Sequence, residues 1–190
     1  MVKELEKALK KNKVMTANEL MPLVASRAQL RRYANAGIIY SVGAGIYASP
    51  ELEPFIASVL AVAKFYPNAV ISNLTALIIY ELSDERVDYI DVDIPRNYSI
   101  KNKLIKEHRV DPNRIIGVQT HVFNNYKIKI YGAERCLCES YILDPDGPLF
   151  LKAVKRYLTM NKINLNLIAE FDKILKTNVL RAIRQELADE

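Results

Sequence analysis

Residues 26–48 read SRAQLRRYANAGIIYSVGAGIYA, and the fold assignment starts from them. Ser26 followed three positions later by Gln29 has the spacing of a helix-capping pair, in which the hydroxyl accepts a free N–H of the first turn. Leu30, Tyr33 and Ala34 then share one stripe at helical spacing, and Gly37 suits the left-handed stop. Beyond it, Ile38, Ile39, Tyr40 and Val42 on one side and Ile46, Tyr47 and Ala48 on the other flank Gly43-Ala44-Gly45, which predicts a β-hairpin. Upstream, Thr16 and Glu19 repeat the capping spacing and predict a short helix through Leu20, with Pro22 at or just past its end. Leu5, Ala8 and Leu9 form a stripe opposite Lys3, Lys7, Lys10 and Lys11, so a first helix is expected to end near Asn12. Helix, helix, helix, hairpin is the order of a winged helix-turn-helix, predicted here for residues 1–49.

In that architecture the third helix enters the DNA major groove by its N-terminal end while the hairpin lies along the backbone. Its outward positions would be Arg27, Ala28, Arg31, Arg32 and Asn35. Arginine contacts guanine edges or phosphates, Gln29 and Asn35 can pair with adenine, and Ser26 at the helix start can hold a phosphate. The expected DNA-binding set is therefore Ser26, Arg27, Gln29, Arg31, Arg32 and Asn35. The hairpin itself carries Ser41 and Ala44 where a phosphate-gripping wing would present Arg or Lys. The same elements also build protein-interaction modules with solvated arginines, and the sequence leaves both readings open.

Charge favours the nucleic-acid reading. The 190 residues are 50% hydrophobic and 26% charged, which fits a folded globular chain and excludes disordered, collagenous and disulfide-scaffold classes. The net charge of +5 is unevenly placed. Residues 1–50 hold eight Lys/Arg against three Asp/Glu, 51–95 two against eight, 96–129 eight against two, and 130–190 nine against nine. Two basic segments thus flank an acidic one, a distribution that suits a polyanionic partner. The longest nearly apolar run, residues 55–63, is far short of the roughly 20 residues of a membrane span. The charged start lacks a signal-peptide core, so no membrane association and a cytoplasmic location are expected. Cys136 and Cys138 are one residue apart, poor geometry for a bridge, and are read as reduced thiols.

Residues 50–190 read as a mixed α/β domain ending in helices, giving an α+β chain overall. Residues 50–54 look like a linker, and 55–65 form a helix apolar nearly all round. Ala69, Val70 and Ile71 suggest a buried strand, and Ser72 or Asn73 could cap a helix running through Leu82. Residues 89–94 alternate as a strand. Residues 115–123 and 127–131 are expected as strands around an Asn124-Asn125-Tyr126 turn, and helices follow from Ala133.

The chain resembles the AbiEi antitoxins of type IV, abortive-infection toxin–antitoxin systems. The likeness rests on the Gly45-Ile46-Tyr47-Ala48 ending of the winged helix, on YPNAVISNLTAL at residues 66–77, on Ile94-Pro95-Arg96, and on YGAERCLC at residues 131–138. Ser41 and Ala44 depart from the usually basic family wing, and Thr75 stands where the family has a small residue. The resemblance implies an N-terminal domain that binds double-stranded operator DNA at inverted repeats and represses its own operon. It further implies a C-terminal domain at residues 50–190 that counteracts a nucleotidyltransferase-like toxin, with no stable complex required.

Other constellations carry residue types capable of chemistry. Asp91 and Asp93 alternate on a strand, as in the metal-binding pair of nucleotidyltransferases, but no Gly-Ser phosphate turn precedes them. They are expected on a solvated face, opposite an inward Ile90, Val92 and Ile94. Cys136, Cys138 and His121 lack a fourth ligand for zinc, and helical geometry should expose one of the two thiols. His108 and His121 stand in no nucleophile–base pattern, and Arg135 is expected to pair with a carboxylate in a structural role. No enzyme activity, cofactor or metal is expected. Lys101, Lys103, Lys106, Arg109, Arg114, Lys127 and Lys129 make a second basic set that could extend a DNA footprint or grip an acidic partner. The alternatives to a repressor–antitoxin are an interaction module restraining an enzyme through this set, and an enzyme using Asp91 and Asp93.

Overall fold

The computed structural model describes residues 2–160 and 163–188 of the chain. Helix α1 (Val2–Asn12) buries Leu5 and Leu9 and leaves its lysines in solvent. A short strand β1 (Val14–Thr16) follows, then α2 (Ala17–Leu20), which tightens into a 3-10 turn at Met21–Leu23 where Pro22 sits. The Thr16 capping box forms in full: its hydroxyl accepts from the Glu19 N–H, and the Glu19 carboxylate accepts from the Thr16 N–H at 2.6 Å. Helix α3 (Arg27–Asn35) starts under the Ser26 hydroxyl, which accepts from the Gln29 N–H, and stops before Gly37 at φ +70°. Strands β2 (Tyr40–Gly43) and β3 (Ile46–Ala48) complete this unit. The three strands form an antiparallel sheet in the order β1-β3-β2. Strand β1 escaped sequence reading because three residues are too few to show a period, and their partner lies some thirty positions away.

Helix α4 (Pro54–Phe65) is apolar on every side because two layers cover it. Val59 and Val62 join the main core, while Ala57, Leu60 and Ala61 pack against Val14, Val42, Ile46 and Ala48 of the first sheet. The segment read as a linker is accordingly a packed joint. Leu52 joins the shared cluster and Glu51 pairs with Lys10 at 2.7 Å.

The second sheet has five strands in the order β6-β5-β4-β8-β7. These are β4 (Val70–Ile71), β5 (Ile90–Pro95), β6 (Ile105–Val110), β7 (Val118–Phe123) and β8 (Tyr126–Tyr131). β4 pairs antiparallel with β5 and parallel with β8, β5 pairs parallel with β6, and β7 with β8 is the expected hairpin. Its turn residues Asn124 and Asn125 both have positive φ, 48° and 65°, the demand of the tight hairpin turn that asparagine tolerates. β6, with the sequence IKEHRV, shows no apolar alternation because it is an edge strand, and sequence reading did not place it. Helix α5 (Asn73–Ile79) ends sooner than expected, and Leu82 is buried in the turn beyond it. Helices α6 (Ala133–Leu143), α7 (Pro148–Leu158), α8 (Leu165–Leu175) and α9 (Val179–Ala188) follow. No helix among the described residues is long and apolar enough to cross a membrane.

Helix α6 packs against α5, α7, α8 and α9. That enclosure overturns the expectation of one exposed thiol, because both Cys136 and Cys138 are fully buried. Burial pushes both thiols up, Cys138 to about 12, so neither carries a thiolate near neutrality.

Candidate nucleic-acid interface

The capped start of α3 points its first two turns of arginine away from the core. Arg27, Ala28, Arg31, Arg32 and Asn35 are all exposed, while Leu30 is buried and anchors the opposite face. Among the described residues, no carboxylate lies within ion-pair distance of Arg27, Arg31 or Arg32. Arg27 instead donates to the Asn18 side-chain oxygen at 2.7 Å, which directs it toward the first turn of α2. Between α2, α3 and the β2–β3 hairpin runs an open groove of about 470 Å³, lined by Asn18, Arg27, Arg31, Ser41, Ala44 and Gly45 among others. Two cations, an amide and the hairpin backbone therefore border one concavity. Asn18 was missed in the sequence because nothing local marks it as the partner of a residue nine positions on.

Gln29 sits differently from the rest of its set. It is half-buried, its oxygen accepts from the Ala25 N–H at 2.7 Å, and its amide nitrogen donates to the Tyr33 hydroxyl at 2.7 Å. Both ends of the side chain are engaged within the protein, and Ser26 is similarly occupied as the helix cap. Of the expected DNA-binding set, Arg31, Arg32 and Asn35 are exposed with no hydrogen-bond or ion-pair partner among the described residues, Arg27 is exposed and bonded to Asn18 alone, and Ser26 and Gln29 shape the helix that carries them.

The seven residues of the second basic set fall in separate places. Lys101 and Lys103 are exposed in the loop before β6 and have no hydrogen-bond or ion-pair partner among the described residues. On β6, Lys106 lies over the Tyr89 ring at 4.8 Å and Arg109 pairs with Glu107 at 2.6 Å. Arg114 follows β6 in a 3-10 turn. Lys127 and Lys129 are on β8, three strands away in the sheet, and Lys129 donates to the Pro67 carbonyl at 2.8 Å.

The Asp91–Asp93 pair is a correction. Both side chains are buried, at 2% and 3% exposure, because helix α5 packs on β5 over the face expected in solvent, with α6 packed on α5. Asp91 meets His108 Nε2 at 2.8 Å, and the Asp91 N–H donates to the Thr75 hydroxyl at 2.8 Å. Asp93 accepts from the Tyr131 hydroxyl at 2.9 Å and from the Asn73 amide at 3.4 Å. The Asn73 N–H in turn donates to Glu139 at 2.7 Å, which explains why no side chain caps α5. Arg135 lies 3.2 Å from Glu139 and 4.5 Å above the Tyr131 ring, so the expected carboxylate partner is present and the pair is buried. The Asp91 hydrogen bond raises the His108 pKa, whereas burial pushes the Glu139 carboxyl up to about 7 against the pull of Arg135. Asp91 is thus engaged by His108, and Asp93 by Tyr131 and Asn73, inside the fold.

Compared with protein-family models and with curated protein sequences, the chain matches none.

Proposed function

We propose that this chain is a DNA-binding autorepressor and antitoxin of a type IV toxin–antitoxin system, with residues 1–49 forming a winged helix-turn-helix. The observation that carries the DNA half is the groove in which Arg27 and Arg31, free of any carboxylate partner among the described residues, stand beside the backbone of a hairpin. The order α1, β1, α2, α3, β2, β3 and the antiparallel β1-β3-β2 sheet support that reading. In it, α3 lies in the major groove, Arg31, Arg32 and Asn35 meet base edges or phosphates, and the hairpin follows the backbone. The antitoxin half rests on the resemblance to AbiEi proteins, whose operators are inverted repeats and whose opponents are nucleotidyltransferase-like toxins. Burial and internal pairing of Asp91 and Asp93 count against a catalytic role for the chain.

The test is a titration of the full chain onto duplex DNA from its own upstream region and onto a scrambled duplex of equal length, at two salt concentrations. Specific, salt-sensitive binding is expected, and equal weak binding to both duplexes would overturn the repressor. The antitoxin half is checked by co-expressing the full chain with a toxic nucleotidyltransferase encoded beside it. Growth should be restored, and failure to restore it would remove that half. The full chain is required because residues 51–190 alone would expose Ala57, Leu60 and Ala61.

A further inference from the structure

The hairpin lacks cations, yet a residue of the other unit that bonds to it, Asn102, has a lysine on either side in the chain. Between Ser41 and Gly43 the β2–β3 register slips by one residue, and the bulge leaves Val42 out of the ladder. A buried carbonyl so released needs a donor. Asn102 supplies it, donating from Nδ2 to the Val42 oxygen at 3.1 Å across sixty positions of sequence. The same side chain's oxygen accepts from the Leu104 N–H at 3.0 Å, so the amide staples the loop before β6 to the wing. Contact is close enough that a Cβ on Gly43 would stand 2.3 Å from the Asn102 oxygen, and Gly43 itself has φ +81°. Asn102 is buried, and the residues on either side of it, Lys101 and Lys103, are exposed and without a partner among the described residues.

We propose that Lys101 and Lys103, which flank the Asn102 bonded to β2, contact the DNA phosphate backbone beside the wing and replace the cations that Ser41 and Ala44 do not provide. This rests on the DNA reading above and extends it: the C-terminal unit is part of the DNA interface, and the footprint is longer than α3 and the hairpin alone would cover. β2 is an edge strand of its sheet, and the bond from Asn102 to the Val42 carbonyl brings the loop against it. Its two ammonium groups are point charges on flexible stems, suited to phosphates and indifferent to sequence.

The experiment compares the full chain with the Lys101→Ala/Lys103→Ala variant on upstream and scrambled duplexes over a series of salt concentrations. Losing two phosphate contacts reduces the slope of log affinity against log salt by about 2, so the advantage of the wild type grows about tenfold between 200 and 50 mM salt. The loss should be the same on both duplexes, with the urea midpoint unchanged because both side chains are exposed and unpaired. If the wild type discriminates the upstream duplex and the variant keeps its salt slope, this inference is overturned and the DNA reading stands. If the wild type shows no preference for the upstream duplex, both fall.

Discussion

Arg31 stands in solvent on α3 with no carboxylate within ion-pair distance among the described residues, whereas Arg135 is buried in α6 at 3.2 Å from Glu139 and stacked over Tyr131. The same side chain thus has opposite consequences in the two units. An exposed guanidinium holds almost no folding energy, because water solvates it as well before folding as after. A buried one has lost that water and depends on whatever the fold places around it. The N-terminal unit keeps its charge available to a partner, and the C-terminal unit turns charge inward, where Asp91 meets His108, Arg135 pairs with Glu139, and Asn73 joins Glu139 to Asp93.

The largest effect that could break this contrast is expected at α6. Arg135→Met should lower stability by about 3–5 kcal/mol, since it strands a buried carboxylate, and Arg135→Met with Glu139→Leu should recover most of the loss. Urea unfolding of the two variants at pH 8 checks this. A single-variant loss below about 1 kcal/mol would place Arg135 in the same class as the α3 arginines.

Gly43→Ala comes next, because it tests whether the two units share one joint. The substitution forces a side chain into a left-handed backbone and onto Asn102. A loss of about 1–3 kcal/mol is expected, with a single unfolding transition for both units. A near-neutral effect would show that the Asn102 staple is loose.

The smallest expected effect is a pH dependence. His108 has its pKa raised above 6.5 mainly by the hydrogen bond to Asp91, so the stabilisation it brings is fully present below pH 6.5 and fades as pH rises through the raised value. Glu139, lifted to about 7 by burial, works in the same direction, since the folded state holds its proton more tightly than the unfolded chain. His108→Asn should therefore be most destabilised relative to the wild type in mildly acid buffer, and the gap should narrow on going alkaline. A gap that is constant across that range would detach His108 from Asp91.

The same two regions differ in how far the sequence discloses them. Both capping pairs, the glycine stop after α3 and the outward arginines were legible because each is decided within one or two helical turns. The engagement of Gln29 was not, since Ala25 and Tyr33 take up its amide only once the helix and the turn before it are in place. The burial of Asp91 and Asp93 was hidden because an alternating strand says which residues share a face and nothing about whether helices will cover it. Asn102 was silent altogether, as its partner lies sixty residues away in another unit. Local signals disclosed the exposed face, and long-range pairing made the buried one.

The most direct test of the contrast is to measure folding stability and affinity for the upstream duplex on one preparation of the Arg27→Ala/Arg31→Ala variant. A change of less than about 0.5 kcal/mol in unfolding free energy is expected, together with loss of specific DNA binding. Retained binding, or a stability loss that accounts for the lost binding, would contradict it.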